Sequence, residues 1–279
     1  MSNYLCKSTR SMWLVPLLML WAAALPAAES NQTITPDDIV QRCYFKYPGD
    51  DQKSQLTIVL RDQGGNEKKT VYQRYWKDYK GRDGFADKMV LFTLYPPDAE
   101  HTGFLRWSYP LPTGKNPDQW VYLPVLRTMR RVSVRDPADA FLGSDLTHFD
   151  IAGRQLDGSD NTLMRTARRG NDILLEVRSV PRDKDKAIYG GYITIFDKGP
   201  GPDWDNCLMS EMQYYDKHGD LLKKEVFKWQ KVGKAWVWDT VKVDNVQSGH
   251  SSLFNIADVH INVGLQDEVF TERNLKEGH

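Results

Sequence analysis

The chain has 279 residues, 41% of them hydrophobic and 27% charged, with 37 basic and 37 acidic side chains. That neutrality excludes the broad electrostatic attraction on which non-specific binding to nucleic acid or an anionic membrane depends. Thirteen Tyr, ten Phe and nine Trp point instead to strands, whose pleated surface accommodates flat and branched side chains.

The first elements are those of a secretory leader. Lys7 and Arg10 precede the uncharged run "MWLVPLLMLWAAAL" (Met12–Leu25), and "PAAES" follows with small residues. Basic, apolar and small-residue regions in that order predict a signal peptide over 1–28, cleaved near Ala28. The apolar run is too short to span a bilayer comfortably. Cleavage removes two basic residues and leaves 35 against 37 acidic ones, so the expected mature protein (29–279) is one exported domain. Export also removes Cys6. Cys43 and Cys207 remain, either paired in an oxidising compartment or buried as free thiols.

The mature part opens with "TITPDDIVQRCYF". Thr35 suits an N-cap, Pro36 the first turn, and Asp37 and Asp38 the positive end of a helix dipole. Ile39, Val40, Cys43 and Tyr44 then recur at helical spacing. After "YPGDD" the period becomes two. Strands are predicted in "QLTIVLRD", "KTVYQRYWKDYK", "DKMVLFTLYPP" and "TGFLRWSYP", separated by Gly-, Pro- and Asp-rich turns. The pattern stops around residues 136–160. It resumes in "DILLEVRSV", "YGGYITIFD", "CLMSEMQYYD", "LLKKEVFKWQKV", "KAWVWDTVKVDNV" and "HSSLFNI". Ten or more antiparallel strands are expected, mainly β with a few helices. "WVYL" and "AWVWD" carry large apolar side chains on both faces, which fits a closed or half-closed barrel around an apolar cavity.

Chemistry-bearing motifs are scarce. The six histidines include no i, i+4 pair, and there is no CxxC and no EF-hand loop, so no metal or other cofactor is expected. Asp258 and His260 in "DVHIN" share a strand face and read as a solvated pair. "DKGPGPDWD" lacks a following helix to aim amides at a phosphate and reads as a surface loop. "GSDLTHFDI" (Gly143–Ile151) gathers a serine, two aspartates and a histidine. A hydrolytic Ser144–His148 pair would need an exposed serine, and the second glycine of a nucleophile elbow is missing. A local reading uses every residue. Gly143 makes a turn, Ser144 or Asp145 bonds backbone, Thr147 and Asp150 form a capping box, and Leu146, Phe149 and Ile151 anchor it. No enzymatic activity is expected.

A longer pattern runs through "LFTLYPPDAEHTGFLRW", "QWVYLPVLRTMRRVS" and "FLGSDLTHFDI" and closes in "DEVFTERNLK". It resembles the LolA-like family of periplasmic outer-membrane lipoprotein-sorting proteins. The matching positions are Trp120, Tyr122, Pro124, Arg130, Arg131, Gly143, Ser144, Asp145, Thr147 and Asp150, with Phe270, Thr271, Arg273 and Leu275 at the end. His148 departs from the aromatic residue usual there, and "LPTGKNPDQ" before Trp120 looks like an insertion. The resemblance implies an incomplete antiparallel β-barrel (half-barrel) closed by a helical lid. It also implies a periplasmic carrier for the acyl chains of lipoproteins or other lipids. Expected cavity residues are Phe92, Trp107, Trp120, Tyr122, Met129, Leu146, Phe149, Trp229, Trp236 and Phe254. Arg130 and Arg131 would hold the lid, meet the polar end of the cargo or merely flank a strand. Partners implied are lipoprotein acyl chains or another lipid, an outer-membrane acceptor, and an inner-membrane RND-type exporter. An accessory interaction subunit of such an exporter, with a filled core and no cargo of its own, is the alternative.

Overall fold

In the computed structural model, residues 34–110, 113–132, 138–152 and 158–278 are described. The expected leader over 1–28 lies outside them. The helix anticipated after Thr35 is α1 (Pro36–Tyr44), and its capping box is complete. Thr35 Oγ1 accepts from the Asp38 amide at 3.1 Å, and the Asp38 carboxylate accepts from the Thr35 amide at 3.0 Å.

Six strands follow: β1 (Asp51–Arg61), β2 (Glu67–Asp78), β3 (Asp87–Tyr95), β4 (Gly103–Trp107), β5 (Asp118–Leu123) and β6 (Thr128–Val132). A short helix α2 (His148–Ala152) separates them from the second arm. That arm comprises β7 (Ser159–Arg169), β8 (Asp172–Pro181), β9 (Gly191–Lys198), β10 (Cys207–Tyr215), β11 (Leu221–Val232), β12 (Ala235–Asn245) and β13 (Ser251–Ile261). Helix α3 (Glu272–Glu277) ends the described chain. β6 and β7 are additions to the strands expected from sequence. β7 alternates poorly because most of its side chains are exposed, as an edge strand permits.

All thirteen strands form one antiparallel sheet in the order β6-β5-β4-β3-β2-β1-β13-β12-β11-β10-β9-β8-β7. Each arm is a meander of hairpins, and the pairing of β1 with β13 joins the arms into a sheet that does not close. β6 and β7 are therefore the two free edges, yet the chain runs directly from one to the other. The described part of that connection, residues 138–152, lies against the inner face of both arms. Residues 138–152 of the interruption expected around 136–160 thus form a cover.

The sheet buries side chains on both faces. The larger core lies on the inner face and includes Leu56, Ile58, Leu91, Phe104, Phe196, Phe227, Val241 and Phe254. α1 packs there too, burying Ile39, Val40 and Cys43, and a Cys43–Cys207 disulfide ties it to β10. Of the two states left open by the sequence, the paired one is found. The smaller core lies outside β2–β6, where Phe270 and Leu275 of the C-terminal segment cover Val90, Phe92, Leu105 and Trp120. Gly103 makes room for this contact, because a Cβ there would lie 2.6 Å from Leu275 Cδ1 and force that side chain to shift.

Candidate ligand cavity

The inner face of β1–β5 is built in rows by strand register. One row is Gln52, Trp76, Met89, Arg106 and Gln119, and the next is Ser54, Arg74, Leu91, Phe104 and Val121. β11, β12 and β13 contribute Trp229, Trp238, Val237, Phe254 and Ile256 from the opposite arm. Between them lies a cavity of about 280 Å³, roofed by Phe141, Leu146 and Ile151 of the crossing segment. Its size is near the lower end of the roughly 300–1,000 Å³ typical of small-molecule sites. Trp236 closes one end, where its amide donates to the Tyr47 carbonyl at 2.9 Å. The wall is apolar apart from Gln52, Arg74 and Arg106.

The roof is fixed by polar contacts at several places. The Phe141 amide donates to the Leu146 carbonyl at 2.7 Å, closing the turn that Gly143 (φ +75°) allows. Ser144 Oγ donates to the Phe141 carbonyl at 2.7 Å and accepts from the Leu146 amide. The Asp145 carboxylate accepts from Ser252 Oγ at 2.5 Å and pairs with His250 Nδ1 at 2.7 Å, holding the roof to β13. Thr147 and Asp150 form the reciprocal cap, with Asp150 Oδ2 accepting from the Thr147 amide at 2.7 Å. Asp150 also accepts from Lys223 Nζ of β11 at 2.5 Å and from Tyr189 Oη at 3.1 Å. On the other arm, His148 Nδ1 lies 2.8 Å from Gln119 Nε2 of β5. The segment is thus pinned to both arms across the concavity.

These bonds answer the question of a Ser144–His148 pair. The Ser144 hydroxyl is bonded within its own turn, and the His148 ring bonds Gln119 and lies edge-on to Phe141. Burial, helped by the nearby Arg106 charge and opposed by Asp139, lowers the basicity of His148. Neither side chain is arranged against the other for proton transfer.

The expected cavity residues divide between the faces. Leu146, Trp229, Trp236 and Phe254 line the cavity. Phe149 packs on the inner core beside Tyr189, with ring centroids 6.2 Å apart. Phe92, Trp107, Trp120, Tyr122 and Met129 lie on the outer face, in the layer covered by Phe270 and Leu275. Strand alternation is the reason. Tyr75, Val90, Leu105, Trp120 and Arg131 share a row one residue out of phase with the Arg106 row. Trp107 Nε1 donates to the Phe270 carbonyl at 2.9 Å, which accounts for the polar end of that ring. Arg131 bonds Asp118 at the surface and lies over the Trp120 ring, and Arg130 is exposed on edge strand β6.

Arg74 and Arg106 were not singled out by the sequence. The signal was present in "GFLRWS", where a basic residue occupies the inward phase of a strand otherwise filled by apolar side chains. Arg106 is 3% exposed, and its Nη2 donates to Asp87 Oδ1 at 2.9 Å. Arg74 Nη1 donates to Gln52 Oε1 at 2.6 Å and Ser54 Oγ at 3.3 Å. Burial, opposed by Asp87 and helped by Arg106, brings Arg74 down to about 10, so its guanidinium is charged at neutral pH.

A family model described as that of an uncharacterized protein matches residues 86–277. Among solved structures, a DUF1329 family protein from Desulfovibrio piger superposes with a TM-score of 0.72 at 25% identity, covering 86% of this chain and 97% of its own. A domain from Vibrio parahaemolyticus assigned to outer-membrane lipoprotein sorting gives 0.68 at 23% identity, covering 86% and 97%. A LolA superfamily protein from Nitrosomonas europaea gives 0.60 at 16% identity, covering 86% and 99%. No curated protein matches the sequence.

Proposed function

We propose, since this chain belongs to the uncharacterized-protein family whose model spans residues 86–277 and has the open half-barrel fold of the LolA superfamily, that it is a periplasmic carrier of acyl chains. The cargo would be the lipid anchor of a lipoprotein or a free lipid, moved toward the outer membrane. The roofed apolar cavity of about 280 Å³ carries this reading. Each methylene moved from water into such a space gains about 0.8 kcal/mol, so a chain of modest length binds without any covalent step. An exchangeable cargo also needs a wall that opens. The crossing segment meets that need, because it touches the sheet mainly through side chains rather than strand ladders.

The filled core expected of a pure interaction subunit is not what lies between the two arms, and the carrier reading is favoured for that reason. The apolar leader, though outside the described residues, and the disulfide between Cys43 and Cys207 both suit an oxidising compartment such as the periplasm. The test is native mass spectrometry of protein recovered from the periplasm, followed by organic extraction. Bound lipid, or saturable uptake of the neutral dye Nile red, is expected. An extract free of lipid together with no dye uptake would overturn the reading.

A further inference from the structure

The two arginines give the cavity a chemical preference that a chain-binding space does not need. Among the described residues its only charged lining side chains are Arg74 and Arg106, and both are basic. Among the described residues Asp87 is the single carboxylate hydrogen-bonded to either, and it accepts from Arg106 Nη2 and, at 3.3 Å, from Ser108 Oγ. Arg74 bonds only the neutral Gln52 and Ser54. One positive charge is therefore uncompensated inside an apolar wall. Beyond the pair, Arg106 Nε and Nη1 are buried with no hydrogen-bond partner among the described residues, and so is the neighbouring Gln119 Oε1. Buried donors without acceptors are costly, and those on a charged group more so. Nearby His148, whose basicity burial and the Arg106 charge lower, supplies no negative charge in either protonation state.

Resting on the carrier reading, we propose that the cavity selects amphiphiles with an anionic head, a carboxylate or phosphate, which Arg106 receives inside the sheet while the chain lies along Trp76, Met89, Trp229 and Phe254. With Nη2 held by Asp87, the unpaired Nε and Nη1 donors of Arg106 suit such oxygens, since hydrogen bonds from a charged group are the stronger ones. The apolar wall supplies most of the affinity and the arginines supply discrimination. The head enters first and the tail points toward the tryptophan-lined arm. The cavity volume fits one short chain.

Isothermal titration calorimetry of the purified protein with dodecanoate, dodecyl phosphate and dodecanol tests this. At least one anion is expected to bind about tenfold or more tightly than the alcohol, the scale of a charge-assisted hydrogen bond. Which anion binds more tightly identifies the head. Arg106→Gln should bring the affinity for the anions down to that for dodecanol, and a cooperative thermal melt of the variant reports an intact fold. Because that change also leaves Asp87 without its cation, Arg74→Gln is the second variant. It removes the excess charge with the Arg106–Asp87 pair intact and should weaken the preference. Equal binding of all three probes, or a preference unchanged in both variants, would overturn the head site and leave the carrier reading standing. Binding of none of them, by protein that also takes up no Nile red, would overturn both.

Discussion

Lys223 Nζ lies 2.5 Å from Asp150 Oδ2, with the two side chains only 2% and 3% exposed, and this ion pair joins β11 to the segment roofing the cavity. The same ammonium donates to the Asp145 carbonyl at 2.8 Å and lies 4.6 Å from the Tyr214 ring centroid. A buried pair of this kind contributes little over an apolar replacement of both partners, but breaking it leaves one charge stranded. Lys223→Met should therefore cost about 3–5 kcal/mol in urea unfolding. Lys223→Met with Asp150→Leu should recover part of that loss. Equal stabilities of the single variant and the wild type would show that the pair does not hold the roof.

Glu225, two residues along β11, gives that anchor a pH dependence. Its carboxyl is pushed up to about 8 by burial and then by the Asp150 charge, with Lys223 3.8 Å away opposing. The folded value is above the unfolded one of about 4.3, so the folded state binds the extra proton between them. The associated stability is complete below about pH 4.3 and is lost as pH rises toward 8. Thermal melting of Glu225→Gln should lack this decline, and the same slope in wild type and variant would remove Glu225 as its source.

His148 acts with the opposite sign. Its folded basicity is lowered by burial first and by Arg106 second, so the unfolded chain binds a proton more readily. Stability linked to His148 is present above its ordinary value of about 6.5 and is lost as pH falls below it. His148→Gln keeps a polar group beside Gln119 and should melt with less acid sensitivity than the wild type. An unchanged acid limb would show that another group governs it.

The disulfide closes a long loop, linking positions 164 residues apart. It ties α1 to β10, over a part of the inner core that includes Ile39 and Val40. Constraining so long a loop in the unfolded chain predicts a loss on the order of 2–5 kcal/mol for Cys43→Ser with Cys207→Ser. Denaturant titration of the oxidised protein with and without reductant should give the same difference. A negligible change in both would mean that α1 is held by its apolar face alone.

How far the sequence could be read follows from what each residue's position depends on. The α1 cap, the hairpin turns and the Thr147–Asp150 box are made by neighbours in sequence, so they were legible residue by residue. The open half-barrel and the roof became legible through the LolA-like motifs, whose roles the structure explains: Gly103 admits Leu275, Trp120 and Tyr122 face the outer layer, and Asp145 reaches Ser252. Which aromatic residues face the cavity was not legible. That depends on the phase of each strand in a sheet with two apolar faces, and the aromatic pattern is the same for both. Arg106, Arg74, Lys223 and Glu225 were missed because their partners come from other strands or from the roof, which only the folded register brings near.

Leu146 offers the most direct test of the roof as part of the cavity. It is 3% exposed, lines the cavity from the crossing segment, and belongs to the inner core. Leu146→Ala removes three carbons from a wall that the sheet below cannot readily refill, since Trp76, Met89 and Phe254 are fixed by strand pairing. The expected cost is about 2–4 kcal/mol, the range for a buried leucine whose site does not collapse. The same change enlarges the cavity, so a bulky chain should recover more of that stability on binding than it contributes to the wild type. Thermal melting with and without dodecanoate, and with a branched acid of equal carbon number, measures both effects. A loss below about 1 kcal/mol, with no gain for the branched acid, would place Leu146 outside the space that receives the chain.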